Sequence, residues 1–164
     1  MRIDMGTASY NNPQKLNMML INMRENSTSD WRFLVVDNAS TDPGVREVIE
    51  RHASEDSRII PRFLDHNSGY VGAVNQILEW AETDYLGYLD NDAYVTTHGW
   101  DEKLAGYLAT NLEVAMAFPN GGAYQIQRPK YTEILWGVGF CWMLKKQAYL
   151  RIGGFDTQIG HQEE

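Results

Sequence analysis

Apolar runs of strand length alternate along this chain with apolar residues at helical spacing, and most runs stop at a polar cluster. That alternation is the strongest constraint on the fold. Arg2–Ser9 reads as a first strand. Asn12-Pro13 then offers a cap followed by proline at the first helical position, and Leu16, Met19, Leu20 and Met23 follow at helical spacing as a core stripe. Arg32–Val36 is a buried strand ending at Asp37, and Asp42-Pro43 starts a second helix running to about His52. Arg58–Leu64 is a third strand, and Asp65–Gly69 a polar turn. A helix over Tyr70–Ala81 keeps Val71, Val74, Ile77, Leu78 and Ala81 on one side. Tyr85–Leu89 is a fourth strand that stops at Asp90. Thr97 is read as the cap of a helix from His98 to about Asn111. Val114–Phe118 and Gly137–Leu144 are further strands, with Gly121-Gly122 in a loop between them. Lys146–Ile152 is a short helix halted by Gly153-Gly154.

Such alternation predicts one α/β domain over residues 1–164, with a Rossmann-like, mostly parallel sheet flanked by helices on both faces. Ligands of such sheets bind beyond the carboxyl ends of the strands. The polar clusters Ser9-Tyr10-Asn11, Asp37-Asn38-Ala39-Ser40, Asp65-His66-Asn67 and Asp90-Asn91-Asp92 all stand at predicted strand ends. The topology alone therefore predicts that they converge.

Composition narrows the function. A formal net charge of −8 over 164 residues disfavours a nucleic-acid partner, whose phosphates an acidic surface repels. Small phosphorylated ligands are compatible with it, because a divalent cation reverses the local sign. No apolar run approaches the ~20 residues of a transmembrane helix, and no secretory leader pattern opens the chain, so a cytoplasmic location is expected. The single cysteine, Cys141, excludes an internal disulfide and lies in an apolar strand segment, which points to inert core.

Asp90-Asn91-Asp92 carries the clearest chemistry. A strand delivers two carboxylates, two residues apart, to one edge of the sheet. Such a pair suits a hard cation, Mn²⁺ or Mg²⁺, that shares its coordination with substrate phosphate oxygens. A polar turn is the plainer alternative for the same tripeptide. Asp37 follows a buried strand, and its carboxylate is placed to accept a hydrogen bond from a nucleobase N–H or a ribose hydroxyl, while Asp42 is expected to cap the next helix. Asn67-Ser68-Gly69 through Asn75 begins a helix through Gly69 and Gly72, where backbone approaches a ligand closely and the helix N-terminus favours anions. Gly153-Gly154-Phe155-Asp156 precedes the terminal acids Glu163 and Glu164. A glutamate ionised near neutral pH suits the general base that a sugar hydroxyl nucleophile needs.

Together these segments resemble family 2 glycosyltransferases of the GT-A fold. Ser9-Tyr10-Asn11 is similar to the family's first loop. Leu34 through Asp42 is similar to its second strand and nucleotide-binding loop, Asn67–Asn75 to its N-x-G…A-x-N segment, and Leu89-Asp90-Asn91-Asp92 to its D-x-D segment. Gly153-Gly154-Phe155-Asp156 resembles the approach to its catalytic base. The resemblance implies inverting transfer from a nucleoside-diphosphate sugar, UDP-linked by expectation, to a glycan or other hydroxyl acceptor. It implies nucleotide-sugar binding by Ser9, Tyr10, Asp37, Asn67, Gly69, Asn75, Asp90 and Asn91, and metal binding by Asp90 and Asp92. It also implies a catalytic base at Glu163 or Glu164, or just past them, in a catalytic domain that ends near this motif.

Other classes fit less well. A haloacid-dehalogenase-type phosphatase needs Thr where Tyr94 stands, and a nucleotidyltransferase begins with a glycine-rich basic loop that Ser9–Pro13 lacks. A non-catalytic nucleotide-sugar-binding module is the remaining alternative. Trp142 is expected in the core, and Trp136 either offers an acceptor sugar a stacking face or packs in the core as well. His161 either joins the metal or belongs to the tail, and His66 and His98 are expected at the surface.

Overall fold

Strand β1 (Arg2–Ser9) is buried along nearly its whole length and pairs in parallel on both sides. It is the middle of a computed structural model that describes residues 1–119, 123–127, 132–136 and 139–160. Its neighbours are β2 (Asp30–Asp37) and β4 (Tyr85–Leu89), and β3 (Ile59–Phe63) lies outside β2. Beyond β4 come β8 (Cys141–Lys145) and the two-residue β5 (Met116–Ala117), giving the order β3-β2-β1-β4-β8-β5. The sheet is parallel except at β8, which runs antiparallel to both β4 and β5.

The helices connect the strands as expected: α1 (Pro13–Asn26), α2 (Pro43–Glu55), α3 (Gly69–Trp80), α4 (Trp100–Thr110) and α5 (Lys146–Ile152). One core packs Leu16, Met19, Leu20 and Met23 of α1, Val45 and Ile49 of α2, and Leu104 and Leu108 of α4 against one sheet face. The other packs Ala73, Val74, Ile77 and Leu78 of α3 and Tyr149 of α5 against the opposite face. Strand residues alternate between the two. Phe33 and Val35 belong to the first core, Leu34 and Val36 to the second. At Gly6 the sheet and α3 meet without a side chain between them: a Cβ there would lie 2.6 Å from both Ile77 Cγ2 and the Leu34 carbonyl oxygen.

Asp4 is a charged group inside this architecture. Its side chain is fully buried, accepts a two-pronged bond from Arg32 at 2.8 and 2.7 Å, and also accepts from the Glu82 and Thr83 backbone N–H groups. Burial alone would raise its pKa; the Arg32 guanidinium and those backbone donors reverse the sign and hold it below the usual value. One side chain thus ties β1 to β2 and to the loop before β4.

Several expectations need correction. Asn12 stands at the α1 N-cap with φ +61° but makes no side-chain cap, so proline at the first turn is what defines this end. Helix α4 starts at Trp100 rather than His98; Gly99, at φ +70°, is its N-cap, and Thr97 contributes only a carbonyl to Trp100 N–H. The fifth strand contracts to two residues. The strand expected from Gly137 begins at Cys141, after a turn at Gly139-Phe140. An antiparallel pair, β6 (Ala123–Gln127) and β7 (Thr132–Trp136), was not foreseen. The Gly121-Gly122 loop and Gly137 lie outside the described residues, as do His161, Glu163 and Glu164. Asp42 does cap α2, accepting from Gly44 N–H at 2.9 Å. Cys141 is buried, which pushes its thiol up to about 12 and leaves it unreactive. Trp142 is in the core, and His66 and His98 are exposed. Among the described residues no helix is long and apolar enough to cross a membrane.

Candidate functional site

The carboxyl ends of β1, β2 and β4 and the start of α3 enclose a cavity of about 400 Å³. Ser9, Tyr10, Asn67, Gly69, Asp90 and Asn91 line it, all singled out in the sequence; Ala8, Asn38, Tyr70 and Tyr88 line it as well. A second cavity, of about 450 Å³, opens over the ends of β2 and β3 and the start of α2, with Asp37, Ser40, Asp42, Arg46, Phe63 and Asp65 in its wall. Strand alternation explains the division. Asp37 continues the Phe33–Val35 side toward α2, and Asn38 the Leu34–Val36 side toward α3.

The loops between are held by side chains in unusual backbone positions. Asn11, at φ +59°, accepts through Oδ1 from the N–H groups of Thr41 and Asp42, and its own N–H donates to Ser40 Oγ at 2.8 Å. Asp37 accepts from Ser40 N–H at 3.0 Å, and Ala39 takes φ +62° between them. Asn38 spends its whole amide on the chain. Its Nδ2 donates to Asn67 Oδ1 and the Gly69 carbonyl, and its Oδ1 accepts from Ser68 N–H and Ser68 Oγ. Asn67 in turn accepts from Gly69 N–H at 2.8 Å, and Gly69 itself sits at φ +72°, where a side chain would be strained. Asn38 and Asn67 therefore shape the start of α3.

Asp90 and Asn91 form the cavity's other wall. Asn91 Nδ2 reaches Ser9 Oγ at 3.4 Å, and Asp90 N–H donates to the Phe140 carbonyl from the turn before β8. Burial raises the Asp90 carboxyl above its ordinary value; the Tyr88 and Tyr70 hydroxyls oppose that, and the charge of Asp92 adds to it. Asp92 lies nearer the solvent and pairs with Lys15 of α1 at 3.0 Å, each side chain about half exposed (47% and 54%). Asp90 and Asp92, two carboxylates at the edge of an open cavity, could together hold a hard divalent cation. Among the described residues no group of three or more His, Cys, Asp or Glu is arranged around a common point. A cation bound at these two carboxylates would need its other ligands from outside the described residues, as Mg²⁺ commonly takes them from substrate phosphate and water.

Asn75 is placed elsewhere. Its Nδ2 donates to the Phe155 carbonyl at 2.8 Å and its Oδ1 accepts from Phe155 N–H at 3.0 Å, so it clamps the segment after α5 rather than lining the cavity. That segment turns through Gly153 and Gly154 at φ +79° and +101°. Phe155 packs edge-on against Trp142, which stacks on Tyr88 at 5.1 Å, which meets Tyr70 edge-on at 5.8 Å. An aromatic series thus joins the cavity to the Gly154-Phe155-Asp156 segment. Asn38 and Tyr70 stand inside segments singled out in the sequence but without a role of their own, and Tyr88 and Lys15 are not singled out there. Period-two alternation from Val36 and from Asp90 would have found Asn38 and Tyr88; nothing local marks Lys15. For Trp136 only the backbone is described.

Residues 6–152 match the family described as Glycosyl transferase family 2. The teichuronic acid biosynthesis glycosyltransferase TuaG of Bacillus subtilis, a putative assignment in its own name, is 34% identical over 86 residues, covering 52% of this chain and 34% of that protein. Among solved structures, the mannosyltransferase PcManGT of Pyrobaculum calidifontis, in complex with GDP-Man and Mn²⁺, superposes with a TM-score of 0.74 at 19% identity, over 94% of this chain and 47% of that one. TarS of S. aureus in complex with UDP gives 0.75 at 15% identity, over 99% and 52%. The fold is GT-A. The chain spans about a third of the length of TuaG and about half of the two solved chains.

Proposed function

The chain belongs to glycosyl transferase family 2, and from that premise we propose that it binds a nucleoside-diphosphate sugar across the carboxyl ends of β2, β1 and β4 and transfers the sugar, with inversion, to an acceptor hydroxyl. The observation that carries this reading is the placement of carboxylates along the carboxyl edge of the sheet: Asp37 in the cavity beside α2, Asp90 in the cavity beside α3, and Asp92 two residues beyond Asp90. The nucleoside lies toward Asp37, whose carboxylate accepts from the base or ribose. The diphosphate lies toward Asp90 and Asp92, with Ser9, Tyr10, Asn67 and Gly69 along the path.

Asp90 and Asp92 are the residues that would hold Mn²⁺ or Mg²⁺, and a cation bound there would supply charge neutralisation to the departing diphosphate. This chain's own groups do the rest. The N-terminus of α3, fixed by Asn38 and Asn67, directs backbone N–H groups and a favourable dipole toward an anion. Asp92, which pairs with the Lys15 ammonium in the free protein, would be open to such a cation once that exposed pair parts. A carboxylate on the opposite side of the sugar takes the proton of the acceptor hydroxyl as its oxygen attacks the anomeric carbon and the bond to the diphosphate breaks. Glu163 and Glu164 are the candidates for that base; the support is the resemblance of the preceding Gly153–Asp156 to the family's approach to its base. UDP is the first nucleotide to try, since a solved relative in fold binds it.

Calorimetric titration with UDP and GDP, with and without Mn²⁺, tests the proposal. Binding is expected, tightened by Mn²⁺, with the metal's increment lost in Asp92→Ala. Binding of neither nucleotide under either condition contradicts the donor site, and an unchanged metal increment in the variant contradicts Asp92 as a ligand. Separate Glu163→Gln and Glu164→Gln variants test the base: the residue that serves loses sugar transfer while nucleotide binding stays intact, and full transfer in both variants removes both.

A further inference from the structure

The Tyr88 hydroxyl is buried, at 1% exposure of the residue, and has no hydrogen-bond partner among the described residues. Tyr70 and Asp90 lie close enough to act on it through charge and through weak hydrogen bonding, yet neither makes with it a hydrogen bond of good distance and angle. An unpaired polar group in the interior is costly. Phenylalanine would fill the same space, stack equally on Trp142 and meet Tyr70 in the same way, without that cost. The only other orphaned side-chain polar atom among the described residues is Thr7 Oγ1, and Thr7 lines neither cavity. Tyr88 lines the cavity that holds Asp90 and Gly69. Its backbone is fixed in the middle of the sheet, paired with Gly6 on one side and Trp142 on the other. The stack on Trp142 and the edge contact with Tyr70 fix the ring, so the hydroxyl is held in place rather than free to seek solvent.

We propose that the Tyr88 hydroxyl is a preformed hydrogen-bonding contact for the sugar-nucleotide donor, unpaired in the free protein and paired with a donor oxygen when the cavity fills. The proposal rests on the donor-site reading above and adds a residue that neither the D-x-D segment nor the loop motifs contain. Free-protein stability is surrendered at Tyr88 and returned on binding, so the two quantities move in opposite directions when the oxygen is removed. A purely structural tyrosine moves stability downward and leaves ligand affinity alone.

Tyr88→Phe tests this through two readouts on the same sample. The melting temperature of the free variant is expected to hold or to rise, by about 2–4 °C for a relieved penalty of this kind in a domain of this size. Its affinity for the nucleotide is expected to fall by roughly 3- to 30-fold, the range for one hydrogen bond to a ligand. Titrations with UDP and with UDP-GlcNAc locate the contact. A loss already present with UDP places it on the ribose–diphosphate part, and a loss only with UDP-GlcNAc places it on the sugar; either supports the proposal. Equal affinities of Tyr88→Phe and the unaltered chain for both ligands overturn it while leaving the donor site standing. A lower melting temperature together with unchanged affinity overturns it in favour of a packing role. Failure of the unaltered chain to bind either ligand overturns the donor-site reading and this proposal with it.

Discussion

Asp37 and Asn38 are neighbours in the chain and face opposite sides of the sheet. In the sequence Asp37 draws the nucleotide role because its carboxylate can accept from a base N–H or a ribose hydroxyl, while Asn38 in the same cluster has no role of its own. The structure puts Asn38 in the cavity with Asp90 and makes it the tie between the β2 loop and α3. The amide's value is geometric: it donates and accepts at once, which a carboxylate does not. Asn38→Asp is therefore expected to lose its bonds to Asn67 Oδ1 and the Gly69 carbonyl, lowering stability by about 1–3 kcal/mol and weakening nucleotide binding, read by denaturant melts and calorimetry. Asp90 behaves oppositely in the free protein. Its pKa is raised by burial and by Asp92, so its ionisation opposes folding. Stability from this group is full below the ordinary carboxylate value and is lost as pH rises through the raised one. Asp90→Asn is thus expected to be at least as stable as the parent at pH 7, with a flatter stability profile above the ordinary value, while its Mn²⁺-dependent nucleotide binding is lost. Parent and variant with parallel pH–stability profiles would contradict this assignment.

At the scale of elements, the parts legible in the sequence were those whose pattern is local. The α1 stripe, the apolar runs of β2 and β4, and the Asp42 cap each follow from a few adjacent residues. The β6–β7 pair, the contraction of β5 and the antiparallel sense of β8 do not. A hairpin's register depends on its partner strand, and the direction of β8 shows only in its long-range pairing with β4 and β5. The start of α4 was misjudged because Thr97 looks like a cap, whereas Gly99 reaches a left-handed conformation at lower cost. Asn75 shows how a motif residue can serve an element rather than a ligand. Asn75→Ala removes both bonds to Phe155 and is expected to cost about 1–3 kcal/mol. On the proposal that Glu163 or Glu164, which follow Phe155 in sequence, supplies the base, sugar transfer should fall further than nucleotide affinity, a difference that steady-state kinetics beside calorimetry resolves. Gly6→Ala drives a methyl into Ile77 and the Leu34 carbonyl, and is expected to destabilise by about 1–3 kcal/mol.

Across the whole molecule, the sheet order places the candidate site, because it brings residues from separate segments to one edge. That convergence followed from strand–helix alternation and required no motif, which is why the cavity's location was legible while its lining was only partly so. The integrity of the edge depends on the opposite half of the sheet, where Asp4 joins β1, β2 and the loop before β4. Its depressed pKa stabilises the fold above the ordinary carboxylate value, and this contribution is lost as pH falls through the lower folded value. Asp4→Ala is expected to cost about 3 kcal/mol, near the lower end for a broken buried pair because Arg32 keeps Glu82 and the Trp80 ring; urea denaturation at neutral pH measures it.

The central claim is that a nucleoside diphosphate and a divalent cation meet at the end of β4. A crystal structure of the chain grown with UDP and Mn²⁺, with data collected at the manganese absorption edge, tests it most directly. The account predicts an anomalous peak between the Asp90 and Asp92 carboxylates and the diphosphate, with Lys15 released from Asp92 and the nucleoside extending toward Asp37. Nucleotide bound away from the carboxyl ends of β1, β2 and β4, or manganese bound without either carboxylate, would contradict it.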